Sequence, residues 1–196
     1  MPNPGEFAVN AVLCDSAVVA EGKLYVQGGG WNILGTQQFP FIQPRISLAA
    51  VVTVPYTMTN QNHVLAIELR NEDNESVAIG APVEKDGEVQ RPMQIGAQFN
   101  IGRPPILQAG DSQMLPFAVN LDQLPFNSPG AYSFVFSIDG AEAQRLPFRV
   151  VGPPGQNIVP GARGDRVPVV LTRLVTLVGS RSGCGSLTSG FGACVG

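Results

Sequence analysis

The 196-residue chain is 44% apolar and only 14% charged, with 12 Lys and Arg against 15 Asp and Glu for a net charge of −3. A core can form from that composition, but 23 glycines and 17 prolines favour turns and short strands over long helices. Residues 1–151 hold 8 basic and 14 acidic side chains, a balance of −6, and residues 152–196 hold 4 and 1, a balance of +3; a domain at −6 has no basic surface for phosphates, which argues against nucleic acid as a partner.

The opening residues, Met1 to Asn10, have neither a basic nor an apolar leader region, so a cytoplasmic protein is expected. The longest apolar runs, 46–54 and 167–178, fall short of the ~20 residues that span a bilayer, so no membrane is expected either. Phe7, Val9, Ala11 and Leu13 alternate on one face of a strand. Leu24 and Val26 do the same before Gly28-Gly29-Gly30 and Trp31-Asn32-Ile33-Leu34. A glycine run inside such a pattern predicts a bulge or bend. Ile46 to Val54 is apolar on both parities and predicts a strand covered on both sides.

His63, Leu65, Ile67 and Leu69 share the apolar parity of the next strand, which ends in the turn Asn71-Glu72-Asp73-Asn74-Glu75. Ser76 to Gly80 is a short strand. Period two returns at Met93–Ile101, at Leu115–Leu121, at Tyr132–Ile138 and at Leu146–Val150. Asp139-Gly140, between the last two, is a strong hairpin signal. Pro147, on the outward parity of the final strand, predicts an edge.

The reading is all-β: an immunoglobulin-like β-sandwich of about 8–10 short strands over residues 1–151, followed by a low-complexity Gly/Pro/Arg-rich tail over 152–196. Within that tail 167–178 could add one strand, and the remainder has the composition of a disordered linker or of an out-of-frame reading. The segment Leu121-Asp122-Gln123-Leu124 to Pro129-Gly130-Ala131-Tyr132 matches an E–F corner, in which a tyrosine hydroxyl bonds back to the corner backbone. The paired cysteines and core tryptophan of antibody domains are missing. Cys14 is alone in the domain, and Cys184 and Cys194 lie in the tail.

Motifs that carry chemistry are weak. The glycine run lacks the following helix that a phosphate loop needs. His63 is the single histidine, so catalysis through a histidine would have to use it, with Asp15 or Glu68 as a neighbouring carboxylate. A capped or rim-packed side chain is the simpler reading. No nucleophile elbow and no set of zinc or calcium ligands is present in the pattern, so no metal and no cofactor is expected. Arg163-Gly164-Asp165 is a three-residue string that chance supplies often.

Several strings together resemble an uncharacterised bacterial family of actinobacterial type, known only as a domain of unknown function. They are Gly22-Lys23-Leu24-Tyr25-Val26-Gln27-Gly28-Gly29-Gly30-Trp31, Val54-Pro55-Tyr56, Asn62-His63, Phe99-Asn100-Ile101-Gly102-Arg103-Pro104-Pro105 and Pro129-Gly130-Ala131-Tyr132, with Cys14-Asp15 ahead of them. The resemblance spans about residues 7–151 and implies a small β protein without catalytic activity.

The leading expectation is a non-enzymatic binding or protein-interaction module that meets a protein partner through loops or edge strands. Its surface is expected around Trp31, Tyr56, His63 and Arg103, residue types that anchor interfaces, held on stiff loops at a sandwich end. The alternatives are a hydrolase or metal-assisted enzyme using His63, and a structural subunit of a larger assembly.

Overall fold

The computed structural model describes residues 5–79, 82–85 and 88–153, all within one unit spanning 1–158. The run 167–178, Cys184, Cys194 and Arg163-Gly164-Asp165 lie outside the described residues. Thirteen strands occur among the described residues, with no α-helix. They are β1 (Ala8–Cys14), β2 (Ser16–Ala20), β3 (Lys23–Gln27), β4 (Ile33–Gly35), β5 (Phe41–Val54), β6 (Asn62–Arg70), β7 (Ser76–Val77), β8 (Val83–Lys85), β9 (Glu88–Gln90), β10 (Gln94–Asn100), β11 (Gln113–Phe126), β12 (Gly130–Ile138) and β13 (Ala141–Val151). Among the described residues one 3-10 turn, Tyr56–Met58, occurs, and it joins β5 to β6.

The two larger sheets have the orders β1-β5-β11 and β10-β6-β12-β13-β4, with β7 beside β6, while β2-β3 and β8-β9 are two-stranded. All pairings are antiparallel except β13 with β4. One apolar cluster joins the two sheets: Val9, Leu13, Ile46, Leu48 and Val52 from the first meet Leu65, Ile67, Phe134, Phe136, Phe148 and Val150 from the second. The alternation read from the sequence therefore points inward as expected.

Ile46 to Val54 is covered on both sides, for a reason that lies in β2 and β3. These strands form a hairpin whose Ala17 and Leu24 pack with Cys14, Ala49 and Ala118 on the outer face of the first sheet. Asn120 latches it: its side-chain amide donates to the Ala17 carbonyl (3.0 Å) and its oxygen accepts from Ala17 N–H (3.3 Å) and Ser47 Oγ (2.6 Å). Small residues at 17, 49 and 118 let the backbones come close enough for those bonds. Burial, followed by the neighbouring Asp15 charge, pushes the Cys14 thiol pKa up, so this cysteine is an inert core residue.

The Gly28 backbone turns the chain out of β3. Its φ is +63°, and a side chain there would collide with the carboxylate of Asp15. Gly30 N–H then donates to the Leu13 carbonyl at 2.9 Å. The glycine run is thus the bend that ties the hairpin back to β1. Trp31 and Asn32 lie in the connection before β4 rather than in a strand.

Some strand boundaries differ from the sequence reading. β11 runs on to Phe126 instead of ending at Leu121. Gln123, at φ +56°, is unpaired between Asp122↔Arg45 and Leu124↔Gln43. The register does not slip there, since one residue on each strand, Gln123 and Pro44, separates the two pairs. The left-handed backbone at Gln123 accompanies a change of facing, and Leu124 and Phe126 are buried where simple alternation predicts solvent. Pro147 lies on the open stretch of β13, an edge as expected, whereas β4 covers that strand from Arg149 to Val151. The strand at Ser76 stops at Val77.

Tyr132 Oη donates to the Ser128 carbonyl at 3.0 Å, four residues upstream, and its ring meets Phe126 and Phe148. Tyr132→Phe keeps the ring contacts and strands that carbonyl. We expect a loss of about 1–2 kcal/mol in urea unfolding, and an unchanged midpoint would show the hydroxyl to be idle.

Candidate functional site

Three of the four residues expected at the binding surface meet at one end of the molecule. Tyr56 stands in the 3-10 turn, His63 opens β6, and Arg103 follows β10. Arg103 Nε donates to Thr59 Oγ1 (2.8 Å), its Nη2 donates to the Tyr56 carbonyl (2.9 Å), and its Cζ lies 4.0 Å from the Tyr56 ring centroid. Its backbone N–H donates to Asn60 Oδ1, and Asn60 N–H donates to the Ile101 carbonyl. Arg103 therefore fastens the loop after β10 to the β5–β6 connection, with Pro104 and Pro105 stiffening the chain beyond it.

Arg103→Ala should cost about 1 kcal/mol, since the fork is partly solvated. Arg103→Lys keeps the charge but cannot span both acceptors, so it should recover only part of that loss. Equal melting temperatures for all three proteins would contradict the bracing role.

His63 is 4% exposed. Its Nδ1 lies 2.7 Å from Asp139 Oδ2 and its Nε2 lies 2.8 Å from the Met58 carbonyl. Both partners are acceptors, so both contacts are hydrogen bonds at once only when both ring nitrogens carry a proton. Phe7 meets it edge-on at 4.8 Å, and the Phe99 ring lies tilted against it at 5.4 Å. Burial pushes the imidazole pKa down, but the Asp139 carboxylate and the Met58 carbonyl together outweigh that and raise it above its ordinary value. Asp139 is held below the usual carboxylate value, first by His63 and then by the Val64 N–H.

The sequence supplied Asp139 as a hairpin residue only. At φ +52°, followed by Gly140 at +84°, it makes the two-residue turn its dipeptide predicts. The same turn aims its carboxylate across to β6, where Oδ1 also accepts from Val64 N–H at 2.9 Å. Neither carboxylate considered from the sequence pairs with His63. Glu68 is bound by Arg70 at 2.9 Å, and Asp15 sits against Gly28 on the hairpin side.

Trp31 does not join this end. Its neighbour Asn32 accepts from Arg149 N–H, and Arg149 lies eight residues along β13 from Ala141, about 26 Å at strand rise. Its ring packs on the core, and its Nε1 is buried without a partner.

Beside His63 a groove of about 360 Å³ is lined by Phe7, Met58, Ile138, Ala141 and Ala143, with Glu6 and Glu142 among its walls. The walls are mainly apolar and come from the same segments that Asp139 and His63 tie together. While both nitrogens donate, the ring offers no lone pair for proton abstraction. Among the described residues, no three His, Cys, Asp or Glu side chains come together as metal ligands, and no helix is long and apolar enough to cross a membrane.

The tie between His63 and the turn, the glycine bend and the Tyr132 corner fall within residues 9–151, which match a family model described as Family of unknown function (DUF6941). The chain belongs to that family. No curated protein matches it.

Proposed function

We propose that this chain is a non-enzymatic binding or protein-interaction module of immunoglobulin-like architecture, bacterial as the sequence resemblance implies and acting in the cytoplasm as the opening residues suggest. The architecture rests on the strand order β1-β5-β11 facing β10-β6-β12-β13, on β4 running parallel to β13, and on the Tyr132 corner bond. The observation that carries the binding role is the braced end. Arg103 and His63 hold the turn and loops around the apolar groove rigid, and a rigid surface binds with a smaller ordering cost. The enzymatic alternative has its one histidine fully occupied as a structural donor.

A second reading, a subunit joined through its sheet edges, draws on β10. Its outer edge, Gln94–Asn100, carries neither Lys nor Pro, the residues that usually guard an edge. Affinity capture with the full chain and with Ala141→Arg separates the two. Ala141 is exposed at the groove, so the variant should fold. Loss of the captured partner with Ala141→Arg supports the groove; full retention moves the site to the edges. Turnover in a hydrolase panel would overturn both.

A further inference from the structure

We infer that His63 is a proton-dependent tie. With both ring nitrogens protonated it fastens the turn Tyr56–Met58 to the tip of the β12–β13 hairpin; as a neutral ring it releases the turn and keeps the hairpin.

The direction of release follows from the two partners. A neutral imidazole has one N–H to give. A carboxylate is the stronger acceptor, so the remaining proton stays on Nδ1 facing Asp139. The Nε2 lone pair then faces the Met58 carbonyl oxygen at 2.8 Å, which turns an attraction into a repulsion. Phe7 and Phe99 crowd the ring, so water cannot easily take over the bond. The Met58 carbonyl must move, and with it a turn that carries both the groove wall and the Tyr56 platform under Arg103.

Charged and titratable groups on the surrounding elements fit this assignment. The segment leading into β1 has Glu6 next to Phe7, and β13 has Glu142 bound to Arg145 at 2.9 Å. The turn has Tyr56 beneath Arg103. On β6 itself, Glu68 and Arg70 pair at the opposite end of the strand. Gln94–Asn100 on β10 carries no charge. Asp139 is the charged group bonded to the ring. The inference does not depend on whether the groove binds anything.

The test is a pH titration of the full chain by NMR, reading the His63 ring nitrogens together with backbone amides. The expected result is a doubly protonated ring at about pH 6, converting to the Nδ1–H form as pH rises. Met58 and Thr59 amide signals should shift with the same midpoint, and the Val64 amide should stay in place. Asp139→Asn suits a positive-φ turn and removes the charge, so its midpoint should fall below that of the wild type. A ring already neutral at about pH 6, turn signals that ignore the ring's titration, or a midpoint unmoved by Asp139→Asn would each overturn the inference.

Discussion

Phe134→Ala should destabilise the domain by about 3–5 kcal/mol, as expected for a large aromatic truncated in a close-packed core. Phe134 is fully buried in the centre of β12. It pairs with Leu146 on one side and Leu69 on the other, and its ring stacks on Phe148 at 5.4 Å. Phe148 in turn contacts Phe126 and Tyr132, so the cavity would open in the middle of an aromatic cluster drawn from three strands. Strands anchored on both sides relax little, which puts the cost toward the upper part of the range. Urea unfolding checks it. A loss under about 1 kcal/mol would mean that the two sheets do not share the core described above.

His63→Ala should cost about 3 kcal/mol near pH 6, combining a cavity between Phe7 and Phe99 with an unmade bond at Met58 and an uncompensated Asp139. The penalty depends on pH, with a defined sign. The folded-state pKa of His63 is raised above its ordinary 6.5, so its contribution is fully present below that value and is lost as pH rises through the folded value. The Asp139 pKa is depressed from 3.8, so its contribution is present above that value and is lost as pH falls through the folded one. The difference between wild type and His63→Ala should therefore shrink from mildly acidic to alkaline pH. A difference that grows with pH would show that the ring is neutral in the folded protein.

Much of the fold is legible because strand alternation is a one-dimensional signal. Leu65, Ile67 and Leu69, then Phe134, Phe136 and Ile138, face inward as their parity predicts. Asp139-Gly140 is a local turn signal, and the turn forms there. The departures come from non-local pairing. The β2–β3 hairpin folds onto Ala49 and Ala118 because of Asn120, far along the chain. β11 continues past Leu121 because it pairs with Phe41–Arg45 of β5, and the left-handed backbone at Gln123 goes with the change in which side chains are buried. Likewise, Tyr56 and Arg103 were identifiable by residue type, but their contact was not. The partner of His63 is 76 positions away. The signal that could have found it is an acidic residue opening a positive-φ turn opposite a histidine that begins a strand on the core parity.

The binding role can be tested most directly by chemical-shift mapping of the isotopically labelled chain as the captured partner is added. The proposed function predicts perturbations centred on Phe7, Met58, Ile138, Ala141 and Ala143, extending to Tyr56 and Arg103. Perturbations confined to Gln94–Asn100, or to the exposed hairpin residues Val18 and Tyr25, would contradict it.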